Sequence, residues 1–393
     1  MKTFLLRFPH LGQGIFEILD DENIVKCKEV SKSWSFFMDE ERFFWKRIIK
    51  KLIHSYDDFQ KSWNMTLKNA DIKMLKELGC GIKNFLSIHP SKCFDKENCK
   101  HRSIPCSPLH LCAGSGSVLL CKFLLTILDD KNPINKADNG WTPLHGAAQE
   151  GHLEVYMELV NHSDARNPVR DGNGSTPLHR AAHRGHLEIC LVALNHVTEK
   201  NPIDENGYTP LHVAALGGHL NVCQKIMEFL SDKNPRNNFG ITPLHLAAVS
   251  GHLEIFKYIM TQISDKDPMT DAGYTPFHKA AEYGHLDICK YIMEQSTDKN
   301  PSGMFGDTPL HMAAKEGKSI VFDYIMKQVQ NINPTNLDGY TPLHRAAKGG
   351  HIDICKLILD KVFDKSPISD YGETPLELAR EMNHREIIEL LSD

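Results

Sequence analysis

The chain has 393 residues, 41% hydrophobic and 24% charged, a balance that excludes intrinsic disorder as its main state. Its 45 Lys and Arg against 50 Asp and Glu leave a net charge of −5, so no overall attraction to nucleic acid or to an anionic membrane is expected. The longest apolar stretch, Val118 to Leu128, is interrupted by Lys122 and is far shorter than the roughly 20 residues of a membrane-crossing helix. Arg7 and Pro9 also end the apolar start before a signal-peptide core is complete. Eleven cysteines form no tight even framework, so reduced thiols and a cytosolic or nuclear setting are the expectation.

In chain order, the first predicted elements are short amphipathic helices over Gly14 to Leu19, Glu22 to Ser35 and Asp39 to Leu52, a three-helix unit occupying residues 1–52. About fifty residues make a marginal core, and such a unit gains from a partner. The spacing Phe8-Pro9, Ile15-x-x-Ile18-Leu19-Asp20, Asn23-Ile24, Val30-Ser31-Lys32-Ser33-Trp34 and Phe43-Phe44-Trp45 resembles an F-box. That resemblance implies docking on the Skp-type linker subunit of a cullin-RING ubiquitin ligase through Phe8, Pro9, Ile15, Leu19, Ile24, Val30, Trp34 and Trp45. The start departs from the family pattern: Leu11 stands where an acidic residue is usual, and Gly12 and Gly14 replace helix formers. Residues 53–104 then read as a helical connector, with helices over Trp63 to Leu78 and Ile82 to Ile88, rather than as a Gly/Ser linker.

From residue 105 to residue 393 the sequence keeps a beat. Thr-Pro-Leu-His begins at Thr142, Thr176, Thr209, Thr242, Thr308 and Thr341, with variants at Ser107, Thr275 and Thr374, and the successive spacings are 35, 34 and then 33 six times. Prolines at 133, 168, 202, 235, 268, 301, 334 and 367 repeat with it, so 17 of the 20 prolines are periodic. In one unit, Thr209 is a helix N-cap and Pro210 sits at the first helical position, where its missing N–H costs nothing. A first helix stops at Gly217-Gly218, and a second starts near His219 with Leu220, Val222, Cys223, Ile226, Met227 and Leu230 on one face. Ser231 to Pro235 break it, and a polar turn with Gly240 leads to the next Thr-Pro. Neither helix can bury its face alone, so neighbouring pairs must stack. Cys190, Cys223, Cys289 and Cys355 share one slot of the second helix and are expected to be buried.

The period together with Thr-Pro-Leu-His-x-Ala-Ala-x-x-Gly-His-Leu resembles the ankyrin repeat, over about nine units. The resemblance implies an all-α solenoid of helix pairs with hairpin fingers, and histidines that tie loop to helix. Asp-Lys-Asn-Pro replaces the usual loop entry and should stiffen the start of each finger; Lys318-Ser319 replaces His-Leu in one unit. The resemblance also implies a variable target-binding groove at Trp141, His183, Arg184, Tyr208, Phe239, Ile241, Tyr274, Tyr283, Met304, Phe305, Lys315, Tyr340 and Lys348. Its aromatic residues are either interface anchors or rings leaning on the next finger. Arg180, Lys279, Lys315, Arg345 and Lys348 could form a basic stripe, broken by Glu282 and Glu316, or be solvated surface charge.

Cys93, Cys99, His101 and Cys106 are four potential zinc ligands, but their spacing fits no common site and they read as loop thiols. No nucleophile, base and orienter set appears, nor a phosphate loop, so neither an enzyme nor a cofactor is expected. Together the two resemblances imply a monomeric adaptor within a hetero-complex, in which the F-box engages the linker subunit and cullin and the repeats hold an unknown protein target. The alternative is an interaction scaffold with no ubiquitin role.

Overall fold

The computed structural model describes residues 108–116, 118–127, 130–135, 140–163 and 170–392. The segments read as F-box and connector, and the cluster Cys93, Cys99, His101 and Cys106, lie outside the described residues. Two compact units divide at Gly172/Asn173. In the first, α1 (Pro108–Ser115) and α2 (Val118–Ile127) form one helix pair, and α3 (Pro143–Glu150) and α4 (Leu153–His162) a second. α1 packs on α3 and α2 on α4.

The second unit is a stack of seven pairs. Its first helices are α5 (Pro177–Arg184), α7 (Pro210–Gly217), α9 (Pro243–Ser250), α11 (Pro276–Tyr283), α13 (Pro309–Lys315), α15 (Pro342–Gly349) and α17 (Pro375–Glu381). The paired second helices are α6 (Leu187–His196), α8 (Leu220–Glu228), α10 (Leu253–Gln262), α12 (Leu286–Gln295), α14 (Ser319–Met326), α16 (Ile352–Leu359) and α18 (Arg385–Ser392). First helices pack on first helices and second on second, neighbour against neighbour along the stack, and the two helices of each pair pack on one another. This is the expected ankyrin-type solenoid, and the described residues form no β-sheet, only an isolated bridge between Asn135 and Trp141.

At seven to ten residues, each helix is well below the ~12–15 residues at which an isolated helix becomes even marginal in water. Tertiary burial therefore holds them. Leu211, Ala214 and Ala215 of α7 are fully buried, as are Cys223 and Ile226 of α8. A buried side chain the size of leucine contributes about 1.5–3 kcal/mol, and the alanines let first helices approach closely. Cys190, Cys223, Cys289 and Cys355 are likewise fully buried, and burial pushes their thiols up to about 12, so they remain protonated packing groups.

Each first helix begins as the sequence indicates. Thr209 is extended at φ −105° and ψ 167°, Pro210 follows, and a capping box closes through His212. Each pair but the last turns at a left-handed glycine. At Gly218, φ is 83°, and an added Cβ would also lie 2.6 Å from the ring of His252 in the next unit, so both backbone and space demand glycine. The last pair uses Asn383 at φ 59° in this slot, the side chain after glycine most tolerant of that region.

Candidate protein-interaction surface

The signature histidine is the joint between units. In α7 the backbone N–H of Thr209 donates to Nδ1 of His212 at 3.1 Å, and Nε2 lies 3.0 Å from the carbonyl of Ile241, the residue before the next threonine. Nδ1 therefore accepts, and the single ring proton sits on Nε2 and donates forward along the stack. The same bridge joins His179 to Tyr208, His245 to Tyr274, His278 to Asp307 and His311 to Tyr340, each at 3.0 Å, and His344 to Glu373 at 3.1 Å. With both nitrogens engaged and the ring out of water, a second proton has no place. Burial lowers His212, His245, His278 and His311 to about 4, and lowers His344 too.

A second histidine points backward. His219, His252, His285, His351 and His384 reach the carbonyls of His183, Leu216, Val249, Lys315 and Lys348, one unit earlier, at 2.8 to 3.2 Å. Each of those carbonyls lies at the end of a first helix, where no intrahelical partner remains.

The fingers form a third tie. Asn237 donates its N–H to the carbonyl of Ile241 at 2.9 Å and accepts from Phe239 and Ile241 on its side-chain oxygen. Finger meets finger through backbone bonds such as Asn238 to Asn206 and Asp271 to Phe239, both 3.0 Å. At Gly240, φ is 72° and a Cβ would come 2.7 Å from the amide nitrogen of Asp271, which explains the glycine there.

Sequence reasoning treated the Asp-Lys-Asn-Pro loop only as a stiff entry, and the structure gives every polar member a task. Asp232 accepts from the N–H of Asn234 at 2.9 Å, while the Asn234 side chain accepts from the N–H of Leu244 at 3.1 Å, an open donor in the first turn of α9. Lys233 caps the carbonyl of Met227 at the end of α8, and Lys200, Lys266 and Lys299 do the same for Leu194, Met260 and Met293. The signal was there to find: lysine recurs at 200, 233, 266 and 299 with the same 33-residue beat.

The anticipated groove positions fall into three groups. Tyr208, Tyr274 and Tyr340 are half-buried, with ring centroids 5.5 Å from the signature histidines His212, His278 and His344; Trp141 is buried, 5.3 Å from His145. Ile241 is half-buried in the same slot. Phe239, Met304 and Phe305 stand at finger tips, 54%, 60% and 52% exposed. His183, Arg184, Tyr283, Lys315 and Lys348 are exposed at the ends of first helices. Positive charge crowds His183: burial first, then Arg184, Arg180 and His219, lower its pKa.

The basic stripe is partly compensated. Lys279 pairs with Glu282 at 2.8 Å, Lys315 with Glu316 at 3.2 Å and Arg345 with Asp307 at 3.3 Å. Arg345 also lies 5.2 Å over the ring of Tyr340. The buried Asp307 further accepts from Asn336 at 3.0 Å, a cluster that the repeat pattern did not announce because aspartate replaces the aromatic or aliphatic residue there. No group of three or more His, Cys, Asp or Glu among the described residues is placed to hold a metal ion, and no described helix is long and apolar enough to cross a membrane.

The family model described as Ankyrin repeats (3 copies) matches residues 68–167, 157–234, 224–303, 295–368 and 310–393. Among curated proteins, the human transient receptor potential cation channel subfamily A member 1 is 40% identical over 76 residues. That match covers 19% of this chain and 6% of the channel, so the chain spans only a small part of that relative. Matching family models run without interruption from residue 68 to residue 393, most of the sequence, and the chain belongs to the ankyrin-repeat family, whose arrays mediate protein–protein interaction.

Proposed function

We propose that this protein is a substrate-recognition adaptor of a cullin-RING ubiquitin ligase: the array captures a protein target and the amino-terminal segment docks the Skp-type linker subunit. The observation that supports the docking half is the apolar register of Leu19, Ile24, Val30, Trp34 and Trp45, set ahead of a repeat array. Supporting the capture half is a stack whose backbone groups are tied at finger, helix start and helix end, while tips and helix ends present varied side chains. A surface of this kind is rigid before binding, which lowers the ordering cost of association.

The mechanism is positioning. The adaptor forms no covalent bond with the target; it holds a target lysine near a ubiquitin-loaded enzyme and raises its effective concentration. The nine helix pairs among the described residues are read as nine ankyrin repeats, with residues 1–52 as docking module and 53–104 as connector. The test is co-purification of the full chain with the linker subunit and cullin, wild type against the double variant Ile24→Ala, Trp34→Ala. Association that the double variant loses, with helical content unchanged, supports the adaptor. No association of the wild-type chain leaves a protein-binding scaffold without a ubiquitin role.

A further inference from the structure

The residue after the Ala-Ala pair of each first helix repeats at one-unit steps through the second compact unit: His183, Leu216, Val249, Glu282, Lys315 and Lys348. Five of these six have their carbonyl held by the next unit's histidine, so their side chains project from a fixed backbone. The position that follows holds Arg184, Gly217, Ser250, Tyr283, Glu316 and Gly349.

Charge is unevenly distributed along this row. Arg184 and Lys348 are exposed and make no ion pair among the described residues. The ion pair of Lys315 is with Glu316, and with side chains 53% and 41% exposed such a pair contributes little and leaves both ends open to exchange partners. Glu282, by contrast, is held by Lys279 in a less exposed pair and adds no free negative charge. Between the basic ends lie Leu216, Val249 and the half-exposed ring of Tyr283.

We propose that this row seats an extended protein segment with acidic ends and an apolar middle, the acids meeting Arg184 at one end and Lys315 and Lys348 at the other. The apolar side chains lie on Leu216, Val249 and Tyr283. The proposal rests on the reading of the array as the target-capturing part and specifies what it captures. Helices packed at about 8–10 Å place the ends of the row roughly 45 Å apart, which an extended chain at about 3.3 Å per residue covers in about 14 residues. A nucleic-acid strand would satisfy the basic ends but not the apolar middle, and the overall charge of −5 opposes it.

The test is selection of a phage-displayed library of random 16-residue peptides on the purified full chain, followed by affinity measurement of the enriched peptides. Enriched sequences should carry acidic residues near both ends and apolar residues between them. Their affinity should fall with salt, and fall about tenfold or more in the variant Arg184→Glu, Lys348→Glu, whose melting stays that of wild type because both sites are exposed. Selection on that variant should turn the favoured ends basic. Enrichment without this pattern, the same peptides from both proteins, no enrichment, or displacement of bound peptide by an oligonucleotide of equal charge would each overturn the proposal. Because the linker subunit takes no part, these outcomes are separate from those of the co-purification experiment.

Discussion

The units that begin at Thr242 and Thr308 differ at one joint. In the first, His252 stands after Gly251 and reaches back to the carbonyl of Leu216; in the second, Lys318 stands after Gly317 and carries no imidazole. The corner is nonetheless the same. His252 has φ −83° and ψ 78°, Lys318 has φ −82° and ψ 68°, and both donate their N–H to the first alanine of the Ala-Ala pair, Ala247 at 3.0 Å and Ala313 at 2.9 Å. The glycine and the helix end therefore shape the turn, and the backward histidine is a tie added to a conformation already chosen. The signature histidine is different in kind: it closes the capping box of its own helix and reaches the next finger at once.

The largest expected effect is acid unfolding, because it strikes the signature histidines together. His212, His245, His278 and His311 have pKa about 4 in the folded state against about 6.5 unfolded, so the unfolded chain binds more protons between these values. Their contribution is complete above pH 6.5 and is lost as pH falls toward 4, at about 1.4 kcal/mol per histidine per pH unit, or about 5.6 kcal/mol per pH unit for the four. Urea midpoints followed by circular dichroism should fall steeply from pH 6.5 downward; a flat profile between pH 7 and 5 would contradict the tautomer described above.

Leu244 and Leu376 occupy the same slot in a middle and in the last described unit. Leu244 is fully buried and Leu376 only half-buried, so Leu244→Ala should cost about 2–5 kcal/mol and Leu376→Ala distinctly less. Equal losses in denaturant melts would sink the idea that each unit depends on neighbours on both sides.

The tyrosines before the signature threonine sharpen the contrast between packing and binding. Each ring lies against its own signature histidine, and aromatic pairs of this type contribute about 0.5–1.5 kcal/mol beyond area burial. Replacing Tyr208, Tyr274 and Tyr340 together by Ser should lower the melting temperature measurably. Unchanged melting with lost target affinity would return these rings to the binding surface.

The smallest effect belongs to the backward tie. His285→Lys removes a 2.8 Å bond to the carbonyl of Val249 and should cost about 0.5–1.5 kcal/mol, while Lys318→His should recover a similar or smaller amount. If the two exchanges shift stability in the same direction, the comparison of the two joints fails.

Much of this architecture is readable because it is periodic. Thr209, Pro210 and Gly218 mark helix start and stop through rules that act within a few residues, and the 33-residue beat announces stacking since neither amphipathic helix can bury its face alone. The separation of groove residues was not readable. Tyr208 and Phe239 are both aromatic residues beside a finger glycine, yet the first leans on a histidine and the second stands in solvent. Their difference is which side of the glycine they occupy, and so which way the hairpin turns them.

By itself, then, the sequence determined the unit: the caps, the turns, the apolar faces and the period, all set by local backbone preference and by burial that repeats. Tertiary structure decided the ties between units. The destinations of both histidine nitrogens, the caps made by Lys200, Lys233, Lys266 and Lys299, and the Asp307, Asn336 and Arg345 cluster depend on groups about 29 to 38 residues apart or on a loop folding back on its helix. A hydrogen bond is satisfied only by direction and distance in space. Sequence spacing proposes the partners, and the stack alone brings donor and acceptor to 3 Å.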